Sequence, residues 1–117
     1  MDNAVRVISS TGREGWSVLP APGPAGVAAA ELAALASADG RFSTGLWEGG
    51  PDSWSFERPY HEVALIVAGE ADIETPGGDV HTVRAGDVLV TPKGSKGTWH
   101  IREKIVKFYA IYDAGEE

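Results

Sequence analysis

Residues 58–71 read RPYHEVALIVAGEA, in which one carboxylate, Glu62, precedes an apolar run that ends at Gly69. Valine and isoleucine favour a strand here. Side chains in a strand point alternately to its two faces. Both faces of the segment ALIVA are apolar, so we expect the strand to be covered on both sides. A carboxylate at the mouth of a buried strand is costly unless a partner or a ligand uses it. The stretch therefore predicts a closed or double-layered β-fold with Glu62 at its entrance.

The rest of the chain divides into two sections. Residues 41–117 contain short apolar runs separated by glycine- and proline-rich turns, a pattern typical of a β-sandwich or β-barrel. Residues 4–8 and 16–19 predict two short strands, and the alanines and leucines of residues 27–37 predict one short helix before Gly40. We therefore expect residues 1–40 to form N-terminal strands, a Pro/Gly linker and a helix that packs on a barrel of residues 41–117.

Composition excludes several classes of function. The 117 residues are enough for one domain, and the absence of cysteine excludes disulfides, thiolate zinc sites and a cysteine nucleophile. A net charge of -7 with scattered basic residues argues against nucleic-acid binding. No apolar stretch is long enough to cross a membrane, and the first residues lack the pattern of a signal peptide. We expect a cytoplasmic protein without nucleic-acid or membrane partners.

Two segments resemble the two halves of the cupin signature. EVALIVAGEADI, residues 62–73, has six residues between its glutamate and Gly69, and AGDVLVTPKGSKGTW, residues 85–99, keeps the order Gly86, five residues, Pro92, one residue, Gly94. With TGLWEGG before them, they look closest to the small single-domain branch of the RmlC-like cupin superfamily that includes ethanolamine-utilisation and ureidoglycine-aminohydrolase-like proteins. The resemblance implies an all-β cupin double-stranded β-helix, a jelly-roll barrel with an internal ligand cavity.

The resemblance also shows what is replaced. Metal-binding cupins carry a His-x-His pair about four residues before the glutamate and another histidine after the second motif. Here the pair is Phe56 and Arg58, or residues 55 and 57 if the gap is one longer, and the later position is Gly97. Only Glu62 of the four ligands is retained. Imidazole ligands give such sites their affinity for transition metals, so we expect no bound metal and no other cofactor.

The three histidines leave a metal-dependent alternative open. Strand alternation turns His61 away from the face of Glu62 and His100 away from the face of Trp99, while His81 is expected at one rim of the barrel. Surface and rim positions are the simpler interpretation for all three. An atypical metal shell of Glu62 with one or two of these histidines is the alternative.

Glu62 is the main candidate for chemistry. Facing inward, it would be desolvated, and its pKa would move towards the range that a general acid or base needs. Tyr60 lies on the same side of the strand, and His61 is adjacent, so both are candidate catalytic partners. Arg58 offers the competing interpretation, a structural Glu–Arg ion pair.

Further residues are candidates for the wall of the cavity. Alternation predicts that Phe56, Trp99 and Phe108 point inward, and Glu48 beside Trp47 would add a second carboxylate near the cavity. The candidate substrate-binding set is Trp47, Glu48, Phe56, Arg58, Ile66, Trp99 and Phe108. Most of the aromatic side chains are expected to serve core packing.

Three functions follow. The first is a metal-independent isomerase, cyclase or lyase that acts on a small metabolite by proton transfer. The others are a noncatalytic small-molecule-binding or pathway-accessory protein, and a metalloenzyme with an atypical ligand set. The resemblance also implies a homodimer, in which we expect the N-terminal strands to extend the partner's sheet or to cover its edge.

Overall fold

The computed structural model describes residues 3–115, and every regular element in them is a strand. No helix in this part of the chain has the length and apolarity to cross a membrane. The strands are β1 (Ser17–Leu19), β2 (Ala29–Ala36), β3 (Phe42–Gly49), β4 (Asp52–Glu57), β5 (His61–Glu74), β6 (Val80–Arg84), β7 (Val88–Thr91) and β8 (Lys96–Tyr112).

Two long strands, β5 and β8, connect two antiparallel layers. The first half of β5 pairs with β7 and with the second half of β8, which continues through β3 and β2 to β1. The second half of β5 pairs with β6 and with the first half of β8, which pairs in turn with β4. The expected all-β jelly roll is confirmed, apart from its helix.

Gly69 allows β5 to pass from one layer to the other. Its φ of +95° suits glycine, and a Cβ there would lie 2.1 Å from the carbonyl oxygen of Lys104 on β8. The pairing of β5 with β8 shifts register between Ile66 and Ala71, which marks the bend. As a result, one strand presents Glu62 in the first layer and Ile73 in the second.

Apolar side chains on the inner face of the second layer form most of the core. The core cluster consists of Ile66, Ala71, Ile73, Val83, Trp99, Ile101 and Ile105. The inner face of the first layer instead carries charged and phenolic side chains next to this cluster. The candidate site therefore lies at the boundary between an apolar core and a polar inner face.

The N-terminal section corrects two predictions. The predicted helix of residues 27–37 is strand β2, which pairs with β3 from Ala30 opposite Glu48 to Ala36 opposite Ser43. Helix propensities amount to tenths of a kcal/mol per residue, and tertiary pairing overrides them. Residues 4–8 form no strand, and Val5 is 96% exposed.

The predicted strand at residues 16–19 is present as β1. It pairs with β2 of its own chain, Ser17 opposite Glu31, and is the edge strand of the first layer. An edge strand retains unpaired backbone groups that another chain can use. The expected homodimer stays a prediction.

Candidate functional site

A cavity of about 420 Å³ opens on the inner face of the first layer. Its wall combines two carboxylates, two cations and two phenols with three indole rings. These residues are Glu31, Glu62, Arg58, Lys107, Tyr60, Tyr109, Trp47, Trp54 and Trp99. We call it the Glu62 cavity. Strands β2, β3, β4, β5 and β8 all contribute, so the long-range pairing of the jelly roll assembles it.

One carboxylate and two cations form the centre of the cavity. The Lys107 ammonium donates a hydrogen bond to Glu62 Oε2 at 2.7 Å, and Arg58 Nη2 lies 3.6 Å from the same oxygen. The side chains of Glu62 and Lys107 are only 4% and 8% exposed. A buried ion pair has to offset the desolvation of both groups. Here two cations, Arg58 and Lys107, lie within 4 Å of the single carboxylate of Glu62.

The Lys107 ammonium lies close to two indole rings. It is 5.1 Å from the ring centroid of Trp47 and 5.5 Å from that of Trp99, distances at which a cation interacts with an aromatic face. Burial is the largest influence on its pKa and lowers it, and the charge of Arg58 lowers it further. Glu62 acts in the opposite direction but does not compensate fully. The neutral amine is therefore more accessible at Lys107 than at a lysine in water.

One hydrogen-bond donor of Arg58, Nη2, is not used by the protein. Its Nε donates to Thr91 Oγ1 at 3.1 Å, and its guanidinium lies 4.4 Å from the ring centroid of Phe56. Its Nη2 is buried and has no hydrogen-bond partner. Because buried donors are nearly always satisfied, this nitrogen indicates where a ligand oxygen would bind beside Glu62.

A second carboxylate, Glu31, faces the cavity from β2. The Tyr109 hydroxyl donates a hydrogen bond to it, and burial together with this carboxylate raises the pKa of Tyr109 to about 12. Gly45 makes room for the ring, since a Cβ there would lie 2.7 Å from the Tyr109 hydroxyl. Burial, followed by the charge of Glu62, also raises the pKa of Tyr60. Both phenols are neutral hydrogen-bond donors at neutral pH.

The pKa of Tyr109 predicts a measurable alkaline transition. Its value of about 12 exceeds the ordinary 10.0, so the folded state retains a proton that the unfolded state loses. The resulting stabilisation is complete below pH 10.0 and is lost as pH rises through about 12. In an alkaline titration of phenolate absorbance, we expect a component with a pKa of about 12 that Tyr109→Phe removes, while the component of Tyr60, whose pKa is also raised, remains. A component with a pKa of about 12 that persists in the variant would contradict the assignment.

The structure brings five of the predicted site residues together. Trp47, Arg58, Tyr60, Glu62 and Trp99 all line the Glu62 cavity. Glu62 points inward, as strand alternation predicts. The interpretation of Glu62 as a partner of Arg58 fits the geometry too, but Lys107 is the nearer cation.

Three other candidates lie nearby without lining this cavity. Phe56 packs against Arg58 and, with ring centroids 6.4 Å apart, against Trp99. Ile66 is fully buried in the core cluster. The His61 Nδ1 accepts a hydrogen bond from the Lys93 backbone N–H at 3.1 Å, on the other side of the strand from Glu62.

Phe108 and Glu48 do not point into the Glu62 cavity, contrary to the predicted orientation. Phe108 is 39% exposed because its neighbours Lys107 and Tyr109 take the inward positions. Glu48 alternates with Trp47, so it faces away from the cavity and binds Arg13 and Lys104. Burial raises the pKa of Glu48, but hydrogen bonds from these two cations outweigh burial and lower it. Glu48 therefore joins the N-terminal segment to the outer face of the sheet.

Sequence reasoning missed Lys107 and Glu31, and it did not assign Tyr109 and Trp54 to the site. A signal for Lys107 and Tyr109 was available. They share the parity of Trp99, Ile101 and Ile105 along β8, so an unbroken strand places all five on one face. Glu31 was hidden because its segment was interpreted as a helix.

The residues at the metal-ligand positions of cupins do not fit a transition metal. Phe56 pairs directly with Gly97 across β4 and β8, and a Cβ on Gly97 would lie 2.8 Å from the Phe56 ring. An aromatic ring thus fills the space between two positions where imidazoles would be expected. Glu62 is already bound by cations, and residues 3–115 contain no group of three or more potential His, Cys, Asp or Glu ligands.

Fold and cavity together define a small cupin domain. The family model of the EutQ-like cupin domain matches residues 36–109, so the chain belongs to that family. A search among curated proteins finds no significant match.

Solved structures agree with this fold. The EutQ protein of Clostridium difficile has a TM-score of 0.65 at 20% identity, with 77% of this chain and 71% of that chain covered. A protein of unknown function from Pseudomonas syringae pv. tomato has a TM-score of 0.77 at 18% identity, with 89% of this chain and 46% of that chain covered. Ectoine synthase from P. lautus has a TM-score of 0.63 at 17% identity, with 73% of this chain and 64% of that chain covered. At these identities the likeness concerns the fold alone.

Proposed function

We propose that the Glu62 cavity binds a small metabolite carrying a carboxylate and catalyses proton transfer on it without a metal ion. The observation that carries this proposal is the buried Arg58 Nη2, which lacks a hydrogen-bond partner beside the Glu62–Lys107 pair. Guanidinium groups bind carboxylates by charge-assisted hydrogen bonds. A free donor next to a proton-carrying pair is the arrangement that such an enzyme needs.

Each group would have a separate task. Arg58 would bind the ligand carboxylate and bring the adjacent carbon towards Glu62, which would act as the base. Lys107 and the neutral Tyr60 would donate hydrogen bonds to the negative charge that develops on the ligand. Trp47 and Trp99 would exclude water and so strengthen these interactions. Isomerases, cyclases and lyases all use such a proton transfer.

Malonate is a suitable probe of this chemistry. It has carboxylates for Arg58 and methylene hydrogens that exchange with solvent when a base removes them. In deuterium oxide, we expect the wild-type protein to accelerate the loss of the methylene signal in proton NMR. Glu62→Gln keeps the shape of the side chain and removes the base, so we expect exchange to slow by a factor of about 10² or more.

Glu57→Gln is the matched control, because Glu57 is an exposed carboxylate outside the cavity whose partner is Lys96. Its exchange rate should equal that of the wild type. Malonate binding without accelerated exchange would favour the noncatalytic binding function instead. One equivalent of tightly bound Mn, Fe, Ni or Zn in the purified protein would overturn the metal-free proposal.

A further inference from the structure

Lys107 differs from the other three lysines of the chain in its surroundings. Its side chain is 8% exposed, and its ammonium faces the Glu62 cavity. The ammonium groups of Lys96 and Lys104 instead belong to side chains that are 62% and 57% exposed. Lys93 directs its ammonium to the carbonyl of Gly115 at the surface. Among these four lysines, Lys107 alone presents its amine to the aromatic-walled Glu62 cavity.

The Glu62 carboxylate still has a cation beside it when Lys107 is a neutral amine. Arg58 Nη2 lies 3.6 Å from Glu62 Oε2, so the carboxylate retains a positive neighbour after Lys107 loses a proton. Burial and Arg58 lower the pKa of Lys107, while Glu62 and Glu31 act against them. Glu62 accepts the hydrogen bond of the ammonium at 2.7 Å, which is the geometry required to take up that proton. A neutral lysine amine is a nucleophile towards carbonyl carbon.

We propose that Lys107 forms an imine with a small aldehyde or ketone whose carboxylate is held by Arg58. This inference rests on the proposed function, since it uses the same cavity and the same carboxylate donor. It narrows the ligand to a carboxylate-bearing carbonyl compound. The indoles of Trp47 and Trp99, which flank the ammonium, would flank the cationic imine in the same way.

The step balances without an oxidant or reductant. Glu62 takes a proton from the ammonium, and the nitrogen lone pair forms a bond to the carbonyl carbon. The π pair of the C=O bond moves to oxygen, which takes a proton from the attacking nitrogen to give a neutral carbinolamine. The hydroxyl then leaves as water while the nitrogen lone pair forms the C=N bond, and Glu62 supplies a proton to the leaving oxygen. An ammonium and a carbonyl become an iminium and water.

Trapping with glyoxylate tests the proposal. Cyanoborohydride reduces an imine of glyoxylate to a stable carboxymethyl-lysine, which peptide mass spectrometry locates. In the wild-type protein at neutral pH, we expect Lys107 to be modified at least about tenfold faster than the exposed Lys104, because Arg58 holds the glyoxylate carboxylate beside Lys107 by a charge-assisted contact. The comparison is internal to one folded sample. Lys107→Arg keeps a positive charge and should abolish the adduct at this position.

An uncharged aldehyde separates imine formation from carboxylate binding. Without Arg58 the pKa of Lys107 rises, which slows reaction with either aldehyde. We expect Arg58→Met to slow labelling of Lys107 by glyoxylate about tenfold more than labelling by propanal, because only glyoxylate also loses one charge-assisted contact. Modification confined to Lys93, Lys96, Lys104 or the α-amine would overturn the imine. Accelerated malonate exchange in the same preparation would show that proton transfer by Glu62 is intact, because malonate has no carbonyl that forms an imine.

Discussion

Replacing Trp99 with alanine is expected to lower the free energy of unfolding by about 3–5 kcal/mol, because it removes a buried indole and leaves a cavity. Trp99 is 2% exposed and belongs to the core cluster. Its ring also contacts Phe56 and lies near the Lys107 ammonium. Urea denaturation of the wild type and the variant measures the difference.

Phe108→Ala provides the matched control on the same strand. Phe108 is 39% exposed, so we expect its removal to cost less than about 1 kcal/mol, as for surface substitutions. The comparison tests the orientation of β8 directly, because an inward Phe108 would make the two losses similar. Equal losses would therefore contradict the placement of Lys107 in the cavity.

The first layer of the fold could be predicted from residues 58–71. The apolar run and the glycine that ends it specify a strand, and Gly69 is the position at which β5 bends against β8. The expected cover on both faces is wrong, because Val63 and Leu65 are 46% and 42% exposed on the face opposite Glu62. Glu62 could likewise be placed, since side chains alternate along a strand. These features depend on local pattern and on one glycine conformation, both of which a sequence displays.

The helix prediction failed because local propensity competes with pairing. Residues 27–37 are rich in alanine and leucine, which favour a helix in isolation. Their backbone groups instead pair with β3 on one side and with β1 on the other. A sequence does not display which partner strand will be available. Glu31, which this strand carries into the cavity, was missed for the same reason.

The error at Phe108 is an error of parity along one strand. Trp99 and Phe108 are nine positions apart (108 − 99), an odd number, so they cannot share a face of a regular strand. Residues 96–112 form the single strand β8, in which Trp99, Lys107 and Tyr109 face inward together. Because β8 is one unbroken strand, Lys107 faces inward and places an amine at the centre of the cavity.

Replacing Lys107 with methionine is expected to lower the free energy of unfolding by about 3 kcal/mol at neutral pH, because Glu62 then loses its nearest cation inside the protein. Arg58, 3.6 Å away, keeps the loss below that of an isolated charge. Lys96→Met is the control, since Lys96 on the same strand and its partner Glu57 are both exposed. Its loss should not exceed about 1 kcal/mol.

The double variant Glu62→Gln with Lys107→Met isolates the interaction between the two groups. With neither charge present, we expect it to be more stable than the sum of the single losses predicts, by about 2–3 kcal/mol.

The pH dependence of the stability of Lys107→Met relative to the wild type has a definite sign. Because folding lowers the pKa of Lys107 below 10.5, the unfolded chain binds more protons as pH approaches that value. The wild type should therefore gain stability relative to Lys107→Met as pH rises towards 10.5. Additive single losses, together with a pH-independent difference, would show that the ammonium is hydrated rather than held between Glu62 and the two indoles.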